Sequence, residues 1–125
     1  MKKLFSLIIV ILLLGISAAG CRQYIPVDDD TFTVDEYRRY IEDFSSDENV
    51  GPIVDAEDAA QKAEEVWIRI YGEDIKDERP YIVSYDEENG VWMVKGSLPP
   101  FALGGVANIL IENDTGKVLA VWHGK

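Results

Sequence analysis

The chain has 125 residues, of which 23 are acidic and 12 basic, giving a net charge of −11, with one histidine and one cysteine. That surplus of carboxylates excludes phosphate-backbone binding, which wants a basic face. A lone histidine and a lone cysteine leave neither a metal-ligand cluster nor an internal disulfide, and the length allows one small domain rather than two.

The N-terminus reads as an export signal. Lys2 and Lys3 form a charged start, Leu4 to Ile16 an apolar run broken only by Ser6 and Gly15, and Ser17-Ala18-Ala19-Gly20 a small-residue cleavage site directly before Cys21. The run falls well short of the roughly 20 residues that cross a bilayer as a helix. The pattern predicts a lipoprotein signal over 1–20 and lipidation of Cys21, which becomes an anchor rather than a nucleophile. A plain secretory signal is the competing reading, since Ala18 stands where lipoprotein signals usually carry Leu. Arg22 follows the cysteine where an inner-membrane retention signal would show Asp. In an organism with two membranes the expected address is the outer one, on its periplasmic side.

Without Lys2 and Lys3 the remainder carries 10 basic and 23 acidic residues, a net charge near −13. Twenty-one of the acids lie between Asp28 and Glu88, leaving only Glu112 and Asp114 beyond. Residues 21–32, with Pro26 and the Asp28-Asp29-Asp30 run, are expected to form an acidic, extended tether. The three aspartates lack the alternating ligand spacing and distal Glu of an EF-hand loop. A single α+β domain is expected over 33–125.

Thr33 and Glu36 have capping-box spacing, and Val34, Tyr37, Ile41 and Phe44 recur with helical period, predicting a short helix over 34–44. Its apolar stripe argues for packing on the domain, with Arg38 and Arg39 neutralising Asp35, Glu42 or Asp43. Asp55 is placed to cap a longer helix over 56–71 that Gly72 ends. Ala59, Ala63, Val66, Trp67 and Ile70 form its apolar stripe, with Glu57, Gln61, Lys62, Glu64 and Glu65 mostly opposite.

The rest reads as strands. Tyr81–Tyr85 and Val91–Gly96 flank a connection ending in Asn89-Gly90, and Ala107–Glu112 and Lys117–Trp122 flank Asn113-Asp114-Thr115-Gly116. Between the hairpins, Leu98-Pro99-Pro100-Phe101-Ala102-Leu103-Gly104-Gly105 is expected to be irregular. The economical arrangement is α+β: one long helix packed on a curved four-stranded antiparallel sheet, preceded by a short helix. Trp67 and Trp92 are the expected core anchors.

Ala63-Glu64-Glu65-Val66-Trp67, Ile70-Tyr71-Gly72-Glu73, Pro80, Val91-Trp92-Met93-Val94, Gly96 with Leu98-Pro99, Gly104-Gly105-Val106 and His123-Gly124-Lys125 together carry a resemblance. Over about residues 55–125 the chain resembles the immunity proteins with a nuclear-transport-factor-2-like fold found in bacterial polymorphic toxin systems. The resemblance implies a small α+β domain without cofactors that binds and neutralises a cognate toxin. It carries over a fold and no catalytic motif.

Cone-shaped folds of this type can hold a cavity for acid-base chemistry, but His123 lies third from the end, where a catalytic geometry is hard to hold. Catalysis is therefore not expected. On one reading the domain is an immunity protein whose Glu57, Glu64, Glu65, Glu73, Asp74, Asp77 and Glu78 meet a basic toxin surface outside the cytoplasm, where opposite charge speeds capture. On the other, the chain is an envelope lipoprotein acting as a non-catalytic interaction module toward another envelope protein, with its charge serving solubility.

Overall fold

A computed structural model describes residues 23–28 and 32–124. The signal segment and Cys21 lie outside the described residues. Five strands form one sheet in sequence order: β1 (Tyr24–Pro26), β2 (Tyr81–Asp86), β3 (Val91–Lys95), β4 (Val106–Glu112) and β5 (Val118–Gly124). β2 to β5 are antiparallel neighbours, with a register shift in the β4–β5 pair between Leu110 and Ile111.

The expected four-stranded sheet thus gains a fifth, parallel strand. Tyr24, Ile25 and Pro26 pair with Tyr81, Ile82 and Val83, so part of the expected tether belongs to the sheet. Gln23 O accepts from Tyr81 N–H at 2.9 Å and Val83 O from Val27 N–H at 2.8 Å. Pro26 is tolerated because an edge strand has one side where no ladder donor is needed. Phe32, also assigned to the tether, is buried.

The long helix, Ala56–Tyr71, follows its expected bounds and is called α2; the shorter α1 spans Arg38–Asp43. Asp55 Oδ1 accepts from Asp58 N–H at 2.8 Å while Asp58 Oδ2 accepts from Val54 N–H at 2.9 Å, a reciprocal cap with Asp in the usual Glu position. Gly72 ends the helix at φ 90°, a conformation that costs a side-chain-bearing residue. A 3₁₀ segment, Glu73–Glu78, leads into β2.

The first predicted helix is two pieces, a 3₁₀ turn over Val34–Tyr37 and then α1. Tighter winding moves the cap, so the Thr33 hydroxyl accepts from Asp35 N–H at 3.4 Å and Glu36 N–H turns to Thr33 O at 3.2 Å. Arg38 pairs with Asp35 at 2.9 Å, as expected of one of the two arginines.

Both sheet faces are covered. Ala59, Ala63, Val66 and Trp67 of α2 meet Tyr81, Val83, Val94, Ala107, Ile109, Ile111 and Val118 on one face. Val91, Met93, Leu110 and Ala120 on the other face pack with Phe32, Val34, Tyr37, Ile41 and Phe44 from the N-terminal segment. Alternation along β4 therefore buries Ile109 and Ile111 on one side and Leu110 on the other, which is why it reads as a nearly continuous apolar run. Tyr40 stacks on Trp122 at 4.1 Å between ring centroids, closing the second layer.

Two stripe expectations need correcting. Ile70 is more than half exposed, so the buried stripe of α2 ends at Trp67. Trp67 is fully buried, whereas Trp92 is only partly so, leaning on Tyr85 and donating from Nε1 to Asn113 Oδ1 at 2.8 Å.

Candidate partner-binding surface

Two of the seven carboxylates singled out as partner-binding are committed to internal contacts. Glu64, on the middle of α2, accepts from Arg79 Nε at 2.8 Å, from Arg79 Nη2 at 2.7 Å and from the Tyr81 hydroxyl at 2.7 Å. The Arg79 fork holds the Glu64 carboxyl below the usual range, against an opposing push from burial. Burial and the adjacent Glu64 charge raise the Tyr81 phenol. These three side chains pin α2 to the start of β2.

Glu78 pins the C-terminal end of the 3₁₀ segment. Its Oε1 accepts from Ala107 N–H at 2.8 Å, its Oε2 lies 3.1 Å from His123 Nε2, and its carbonyl accepts from Ser97 N–H at 2.8 Å. Gly96 leaves room for this side chain, since a Cβ there would stand 2.2 Å from Glu78 Oε1. Tyr71 meets His123 edge to face at 5.5 Å, and burial followed by the Glu78 charge raises its phenol.

The remaining five candidates, Glu57, Glu65, Glu73, Asp74 and Asp77, are exposed, Glu73 pairing with Lys76 at 2.7 Å. A groove of about 270 Å³ opens between β1 and α2, lined by Gln23, Tyr24, Glu57, Ala60, Gln61, Glu64 and Tyr81. Its carboxylates and amide oxygens are chemistry that receives donors and positive charge. Among the described residues no group of His, Cys, Asp and Glu is arranged to hold a metal ion.

Sequence reasoning read Leu98–Gly105 only as irregular and missed what it displays. Phe101 and Leu103 are fully exposed and Leu98 is 40% exposed, with Phe101 at φ 68°. The usable signal was the absence of any charged residue from 97 to 105 in an otherwise highly charged chain.

These features define a small α+β domain with a two-sided core and an open, carboxylate-rich surface. The chain belongs to the NTF2-fold immunity protein family, whose model matches residues 58–125. The match covers α2 from Asp58 onward, the 3₁₀ segment and β2 to β5, and leaves β1, α1 and Glu57 outside it. No curated protein and no solved structure matches the chain.

Proposed function

We propose that the protein is a lipid-anchored immunity protein that captures a cognate toxin by protein–protein contact outside the cytoplasm. The observation carrying this reading, beside family membership, is the set of exposed carboxylates Glu57, Glu65, Glu73, Asp74 and Asp77. Opposite charge on a toxin raises the encounter rate and disfavours wrong partners. The groove beside Glu57 suits a lysine or arginine side chain of that partner. Acylation of Cys21 holds the protein in the envelope, where the toxin arrives.

The test is relief of toxicity. A candidate toxin domain is exported in a sensitive strain, with and without the protein. Growth restored by the wild type, and less well by a protein with Glu57, Glu65, Asp74 and Asp77 changed to Lys, is the expected result. Capture of envelope proteins with no relief of any toxin would instead favour the interaction-module role. Cys21→Ser is expected to release an unacylated protein from membranes; equal membrane retention of the unacylated variant would refute the anchor.

A further inference from the structure

The two ends of the sheet differ in chemistry. At one end lie the β2–β3 turn, with Glu87, Glu88 and Asn89, and the β4–β5 turn, with Asn113 and Asp114. At the other, β3 and β4 are joined by residues 97–105, which carry no charge and expose Leu98, Phe101 and Leu103.

The chain enters the sheet at this apolar end. β1 is parallel to β2, so Gln23 stands level with Tyr81, to which it is bonded at 2.9 Å. Ile82 pairs with Lys95, and Gly96 N–H donates to Ala107 O at 2.9 Å, so residues 97–105 lie beyond that level. Two strand spacings, about 10 Å, separate β1 from β3. In sequence Cys21 precedes Gln23 by two residues, a length of chain that spans at most about 7 Å. From Tyr24 onward the chain already belongs to the sheet.

We propose that residues 97–105 form a second membrane contact, with Phe101 and Leu103 dipping into the bilayer beside the lipid on Cys21 and fixing the domain's orientation. The proposal rests on the Cys21 anchor of the preceding section. A lipid anchor attached two residues from the sheet leaves this end facing the membrane, and the loop presents apolar side chains there. Glu78, bonded to Ser97 and Ala107, holds both loop stems. The polar turns point away from the membrane. The outer face of α2 stays available to a soluble partner.

The test uses the full acylated protein in phosphatidylcholine vesicles, with Leu103→Cys or Asn89→Cys labelled by an environment-sensitive fluorophore. The Cys21 thiol is occupied by its lipid. Expected are a blue shift and quenching by nitroxide lipids for the label at 103 and neither at 89. An acylated, vesicle-bound protein with both labels in water overturns the proposal and leaves the anchor standing. A chain that mass spectrometry finds unacylated removes the anchor and the proposal together. A label at 103 that becomes shielded only when the toxin is added assigns the loop to the protein partner and also overturns it.

Discussion

Replacing Glu64 by Ala should destabilise the domain far more than replacing its neighbour Glu65. Glu64 receives three hydrogen bonds, two from the Arg79 guanidinium and one from Tyr81, whose side chain is almost fully buried. Tyr81's other contact, to Ile75 O at 3.4 Å, is too long to compensate. The Glu64 and Arg79 side chains are 17% and 28% exposed, between the surface pairs worth about 0–1 kcal/mol and the buried pairs whose disruption costs about 3–5 kcal/mol. A loss of about 2–3 kcal/mol follows. In urea the midpoint should fall by about 1–2 M, with Glu64→Gln losing less because an acceptor for Tyr81 remains. Glu65→Ala, at an exposed position, should stay within about 0.5 kcal/mol of the parent. Coincident urea curves for the Glu64 and Glu65 variants would refute the reasoning. The same argument makes Glu65, rather than Glu64, the clean position for a charge reversal at the interface.

Asp86 should make acid stability pH-dependent. Burial would raise its carboxyl, but hydrogen bonds from Asn89, Val34 N–H and the turn backbone outweigh it and hold the group below the usual range. Because Asp86 and Glu64 both titrate lower when folded, the unfolded chain takes up protons first, so stability is full above about pH 5 and falls below it. Asp86→Asn should flatten that fall, read from thermal midpoints between pH 6 and 2. Gly116→Ala should cost at least about 2 kcal/mol, because its φ is 78° and a Cβ would stand 1.8 Å from Gly51 O; an unchanged urea midpoint would contradict this. Glu78→Ala should raise hydrogen exchange at Ala107 well before the global transition, since it removes that amide's carboxylate acceptor, while Ser97, bonded to the Glu78 backbone carbonyl, should change less.

The parts of the fold legible in sequence were those set by local chemistry. Asp55, Gly72 and the Ala59-Ala63-Val66-Trp67 stripe marked α2 to the residue, and the Asn89-Gly90 and Asp114-Thr115-Gly116 turns marked both hairpins. β1 was not legible because three residues ending in proline beside an aspartate run have no strand signature; only the distant partner Tyr81–Val83 makes them one. The N-terminal stripe implied packing but not its target, the second sheet face. The internal roles of Glu64 and Glu78 were hidden for a related reason. A carboxylate on the polar side of a helix looks the same in sequence whether it faces water or an arginine 15 residues ahead. Family resemblance supplied the fold and the expectation of a toxin partner, while the acids available to that partner emerged only once these two were seen to be occupied.

The most direct measurement is the association rate of the mature protein with a toxin domain whose toxicity it relieves, followed across ionic strength. Capture through exposed carboxylates predicts an association rate that falls steeply with salt, a dissociation rate that changes little, and a flattened salt dependence when Glu57, Glu65, Asp74 and Asp77 are changed to Lys. A tight, neutralising complex whose association ignores both salt and these substitutions would contradict the account.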